Sequence, residues 1–279
     1  MGKSELSEKE NELENGHNVV VKDATVMKSD DKAVMSVVSL LEEVPLEIVG
    51  RRDTLRKEIA KGVVRKKLAK MRHLVIPQAI SPAYLDSLFP SILEHFDPQT
   101  VVYNGGIANV KEWKISCYLE VMEGGIPCTH PNLPLLHTCH DLLASCNTLF
   151  IEWYRQQHSC NNKNNNPIHR SNQHEPHDGE GRMEVKRLMT FITRYTPAPG
   201  EQALLKHVDG AGKVDGSLVL ALPVDRWSGP ESEHTFQGGG LTFWDGVGPQ
   251  ELPYDTRSGD VAFIDRAVWH QANPITQGT

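Results

Sequence analysis

The chain contains no run of about 18 apolar residues, the least that a bilayer-crossing helix needs. No membrane-spanning segment is therefore expected. The opening stretch, MGKSELSEKE, lacks the apolar core of a secretory leader. Leu6 stands where an N-myristoylation signal carries Ser or Thr, so that lipid anchor is not expected either. Cysteines are few (Cys117, Cys128, Cys139, Cys146 and Cys160), odd in number, and none are spaced as CxxC. That usage fits reduced thiols in an intracellular protein, cytoplasmic or nuclear. An overall basic excess is also missing: the formal net charge is -7 over 279 residues. A whole-surface attraction to nucleic acid is not implied.

What charge there is lies unevenly. Residues 1–50 carry -6, residues 51–72 carry +8, and residues 73–279 carry -9. Residues 1–50 read as a largely disordered acidic tail, with a short helix in AVMSVVSLLEEV over 33–44. The basic stretch 51–72 places Leu55, Ile59, Val63, Leu68 and Met71 at roughly helical spacing. A nuclear-import or nucleic-acid patch is one reading of this helix. A solvated face whose lysine stems lie along apolar surface is the favoured one. Ser81 at an N-cap and Pro82 at the first helical position open the next helix, AYLDSLFPSILEHF, with a kink expected at Pro90. A further helix is expected over 134–157.

Residues 159–182 form an Asn- and His-rich insert holding His169, His174 and His177, which read as solvated side chains rather than ligands. His137 and His140 flank Cys139 with no carboxylate or fourth ligand nearby, so they too read as ordinary residues.

After residue 183 the texture changes to short β-rich runs separated by Gly, Pro and Asp clusters. Helices followed by strands imply an α+β fold, a double-stranded β-helix (jelly roll) flanked by N-terminal helices. One large domain is expected over 73–279.

The stretch LLKHVDGAG (204–212) supplies the first candidate chemistry. Residues i and i+2 of a strand face the same side, so His207 and Asp209 would present an imidazole and a carboxylate together. His270, ending the apolar run DVAFIDRAVWH, offers a third ligand. Two histidines and one carboxylate on one face of an ion leave its other positions open, as in non-haem Fe(II) oxygenases. Zn(II) suits the same donors.

HVDG, then GGGLTFWDG, then SGDVAFIDRAVWHQANPITQGT resembles the core of the Fe(II)- and 2-oxoglutarate-dependent dioxygenases, nearest in texture to their prolyl 4-hydroxylase-like branch. The resemblance covers about 183–279 and extends to HLVIPQAISPAYLDSLF at residue 73. It implies Fe(II) on His207, Asp209 and His270, with 2-oxoglutarate and O2 as co-substrates and L-ascorbate as a reductant. Tyr195 is implied as a contact of the co-substrate carboxylate. The implied reaction couples oxidative decarboxylation of 2-oxoglutarate to hydroxylation of a C–H bond in a protein (prolyl or lysyl) or small-molecule substrate. Gly238, Gly239 and Gly240 read as structural, while Thr242 and Trp244 line either the barrel interior or plain core.

One departure stands out. The family holds the distal carboxylate of 2-oxoglutarate with an Arg or Lys nine or ten residues after the second histidine, and Thr279 occupies the ninth position here. Arg257 and Arg266 precede His270 and look misplaced for that task, and a closing strand looks truncated. Two rival readings follow: a non-catalytic jelly-roll binding module, and a Zn-dependent cupin-like enzyme.

Overall fold

The computed structural model describes residues 23–24, 45–49, 51–97, 102–103, 106–107, 114–123, 126–127, 132–158, 183–195, 197, 206–212, 214–223 and 237–277. Most of the acidic tail, the helix expected at 33–44, the insert with His169, His174 and His177, and Cys128 and Cys160 lie outside these residues. So does most of the run leading into His207.

Helices gather on one side. After β1 (Asp23–Ala24) and α1 (Leu46–Val49), the basic segment forms α2 (Arg52–Leu68), which buries Leu55, Ile59, Gly62 and Val63. Its apolar stripe ends sooner than the spacing suggests, because Leu68 is 82% exposed. Gly62 lets the helix lie directly on β2 (His73–Ile76): a Cβ there would come within 2.6 Å of a Leu74 methyl. α3 (Pro82–His95) starts as its sequence dictates, with the Tyr84 amide donating to Ser81 Oγ at 3.4 Å. The helix expected over 134–157 is two helices, α4 (Leu133–Thr138) and α5 (His140–His158), broken at Cys139. Asn132 caps α4 by accepting from the Leu135 amide and ties it to α3 by donating to His95 O. Cys117, Cys139 and Cys146 are buried thiols outside any disulfide, and burial pushes Cys139 up to about 12. His137 and His140 are exposed. Among the described residues no helix is long and apolar enough to cross a membrane.

The strands pair antiparallel throughout. β3 (Val102–Tyr103) and β4 (Gly106–Ile107) make a hairpin. The long β5 (Lys114–Glu123) lies between β6 (Ile126–Pro127) and β7 (Met189–Tyr195). β8 (Gly216–Leu220) and β12 (Val261–Asp265) form the centre of a four-stranded sheet ordered β1-β8-β12-β2. A three-stranded sheet places β10 (Leu241–Trp244) between β11 (Leu252–Tyr254) and β13 (Trp269–Ala272). β9 (Gln237–Gly238) pairs with β14 (Ile275–Gln277), so a short strand does follow His270 where none was expected.

Every residue of β8 and β12 is buried, because the four-stranded sheet is covered on both faces. One face, with Leu74, Ile76, Leu218, Leu220, Val261 and Phe263, packs on the helices. The other, with Val219, Ala262 and Ile264, packs against Leu241, Phe243 and Ala272 of the three-stranded sheet. This second core, between two sheets, is what positions the candidate site.

One sequence reading is corrected here, and the structural reading of the glycine run gains its reason. DVAFIDRAVWH is not one strand. The Asp265 carboxylate accepts from the Ala267 amide and its carbonyl from the Val268 amide, making a turn at which the chain leaves one sheet for the other. The glycine run is a backbone requirement: Gly238, Gly239 and Gly240 have φ of 79, 77 and 82°, and a Cβ on Gly240 would lie 2.3 Å from Tyr254 O.

Candidate metal centre

His207 sits in an isolated bridge to His270, each amide donating to the other's carbonyl at 2.9 Å. The HVD stretch is therefore not an extended strand. Asp209 opens a 3-10 turn, Asp209–Gly212, with Gly210 at φ 57°. A side chain on Gly210 would meet Val214 Cγ1 at 2.7 Å, so glycine lets the turn close over Val214. The turn, rather than strand alternation, swings the Asp209 carboxylate toward the two imidazoles.

Asp209 Oδ1 lies 3.5 Å from His207 Nε2, and Oδ2 lies 3.4 Å from His270 Nε2. One ligand atom from each residue falls within 4.8 Å of the others. All three residues are buried, at 7%, 7% and 1% exposure. His270 Nδ1 is 3.1 Å from Val268 O, so Nδ1–H donates to that carbonyl and Nε2 is turned toward Asp209. Among the described residues this is the only such group of histidine, cysteine and carboxylate side chains. Two imidazole nitrogens and a carboxylate oxygen at these separations suit donors that each stand about 2 Å from one shared divalent ion.

Phe243 is the register partner of His270 on β10 and lies in the core between the sheets. Its ring stacks on His73, with centroids 4.2 Å apart. His73 Nδ1–H donates to Asp245 at 2.8 Å, and Lys66 Nζ donates to His73 Nε2 at 3.0 Å. The amides of Arg72 and His73 also donate to Asp245. Burial lowers the His73 pKa, opposed by the Asp245 hydrogen bond. Burial would raise Asp245, but hydrogen bonds from the His73 ring and the Arg72 amide outweigh it and hold the carboxyl below its usual range. Lys66 is lowered by burial, with Asp245 opposing. The ring is therefore neutral between a cation and an anion.

This relay has a pH signature. A neutral buried His73 binds its proton less readily folded than unfolded, so its stabilising contribution is complete above about pH 6.5 and declines as pH falls below that. The expected slope is at most about 1.4 kcal/mol per pH unit for one proton. Urea denaturation between pH 7.5 and 5 should show it, and His73→Gln should flatten the profile. An unchanged slope in that variant would sink the assignment.

Tyr195 ends β7 and lines a cavity of about 670 Å³. Val75, Val219, Ala262, Leu241 and Asn273 form its inner wall. His207, Asp209 and His270 are not among the lining residues. Leu241 pairs with Ala272, two residues beyond His270, which puts the cavity wall roughly 7 Å further along the same ladder. Arg194 and Arg257 also line it. The sequence reading dismissed Arg257 on its order in the chain and left Arg194 out; the fold brings both to the wall. Thr242 and Trp244 are resolved as well. They face away from Leu241 and Phe243, with Thr242 donating to Asn273 and Trp244 lying under Lys206.

No protein-family model and no curated protein sequence matches this chain. A solved structure does: an oxidoreductase of the 2OG-Fe(II) oxygenase family from Burkholderia pseudomallei, at TM-score 0.50 and 14% identity, covering 79% of this chain and 86% of that one. The fold resembles that of a 2OG-Fe(II) oxygenase. At this identity the likeness is one of fold, a mixture of helices and antiparallel sheets, and it does not single out a prolyl hydroxylase-like branch.

Proposed function

We propose that this chain is a non-haem Fe(II) oxygenase that uses 2-oxoglutarate, with His207, Asp209 and His270 as the metal ligands. One observation carries the reading: two imidazole nitrogens and a carboxylate, all buried, meet within 4.8 Å on backbone that joins two sheets of an oxygenase-like fold. When bound there, iron and 2-oxoglutarate would, with O2 as oxidant, supply oxidative decarboxylation to succinate and carbon dioxide, one oxygen atom entering succinate and the other hydroxylating a substrate C–H bond.

The chain's own residues do the rest. His270, oriented through Val268 O, and His207, held by the bridge, would each offer the metal a ring nitrogen, and Asp209 a carboxylate oxygen. Phe243, Leu241 and Ala262 exclude water from one side. The adjoining cavity would receive the co-substrate, with Tyr195 near its carboxylate and Arg194 and Arg257 as the cations on its wall. A double-stranded β-helix, a protein or small-molecule substrate and ascorbate as reductant complete the proposal.

The test is anaerobic reconstitution with Fe(II), followed by addition of O2 and 2-oxoglutarate. Succinate should form only with Fe(II) and disappear in His207→Ala. Stoichiometric zinc in protein purified without oxygen, with no iron-dependent succinate, would overturn the reading in favour of a zinc enzyme.

A further inference from the structure

His207 belongs to no named strand. It is joined to β13 by the two hydrogen bonds of its bridge, and the chain turns away at Asp209. Among the described residues these two hydrogen bonds are its backbone link to the sheet, and an opening there would move one candidate ligand away from the other two.

On the opposite face, running diagonally across the ladder, a second contact spans these chains. Lys206 directly precedes His207, Trp269 directly precedes His270, and Trp244 is the register partner of Trp269. Lys206 Nζ lies 4.4 Å from the Trp244 ring centroid and 5.9 Å from that of Trp269. A lysine ammonium over indole faces at these distances is attracted by the ring quadrupole. The two rings stand on adjacent strands, so one ammonium ties the His207 segment to both β13 and β10.

We propose that Lys206 is a positioning residue, whose ammonium, seated on Trp244 and Trp269, holds the His207 segment closed and so sets how well the centre takes up metal. The proposal rests on the reading of His207, Asp209 and His270 as metal ligands. Metal binds only the closed segment, so apparent affinity falls in proportion to the fraction closed. Loss of one exposed cation–ring contact shifts that balance about fivefold.

The full-length chain carrying Lys206→Met keeps the alkyl stem and loses the charge. Hydrogen exchange of the His207 amide in the metal-free protein should quicken by about fivefold, and titration with Co(II) should show an apparent dissociation constant weaker by at most that factor. The metal-free melting temperature should move by less than about 2 °C, because the opening is local. Lys206→Arg, which keeps a cation for the rings, should restore both values. Lys206→Met combined with Trp244→Leu should be no weaker than either change alone. Wild-type affinity and exchange in Lys206→Met would overturn the proposal, as would additive losses in the double variant. If His207→Ala binds Co(II) as tightly as the unaltered chain, the metal reading falls instead, and the exchange rate at His207 still judges the clamp.

Discussion

Replacing His270 by alanine is expected to weaken Fe(II) or Co(II) binding by more than about a hundredfold, beyond what losing an outer hydrogen bond to a ligand typically costs. The imidazole is 1% exposed, and its Nδ1–H is committed to Val268 O, so its Nε2 is already aimed at Asp209. Among the described residues no further histidine, cysteine or carboxylate joins the group, and Phe243 opposite and Ala272 beyond are apolar. The backbone bridge to His207 does not depend on the imidazole, so the variant should keep its fold. Calorimetric titration with Co(II), alongside circular dichroism of the metal-free protein, separates the two effects. A variant that folds and binds metal within threefold of the parent would remove His270 from the ligand set.

Phe243→Ala should destabilise the chain by about 3–5 kcal/mol, the usual cost of deleting a fully buried aromatic ring. Phe243 is 1% exposed and is the largest of the buried side chains in the core between the two sheets. It also covers His73, so its removal opens a void beside a buried polar relay as well as beside His270. Water entering there would weaken the Lys66–His73–Asp245 chain, which joins α2 to the end of β10. Phe243→Leu retains most of the volume and should cost less than half as much. Urea denaturation at pH 7.5 gives both values. A loss below about 1 kcal/mol for the alanine variant would show that the two sheets do not share this core.

Much of this molecule is legible in its sequence. The Ser81-Pro82 start of α3 is local chemistry, a hydroxyl meeting a free amide and a ring that pre-sets φ, and it forms as the sequence predicts. The apolar runs of β8 and β12 and the glycine run before β10 were also readable. β5 was missed although Cys117, Leu119 and Val121 repeat at every second position, a period-two signal that was available. The split of DVAFIDRAVWH was hidden, because a three-residue link, Arg266–Val268, is too short to break the look of one continuous run.

At the candidate centre the same division holds. Residue type and order in the chain were enough to single out His207, Asp209 and His270, since few side chains can donate to a metal and these stand beside turn glycines and at the end of an apolar run. How they meet was decided by the tertiary structure. Asp209 arrives through a 3-10 turn, and His270 through a change of sheet. The partners His73 and Asp245, 172 residues apart, and Lys206 with its two tryptophans, leave no local pattern in the sequence. Short-range hydrogen bonding writes caps, turns and strands into neighbouring residues. Contacts across sheets depend on where distant strands come to lie, and only the packed fold settles that.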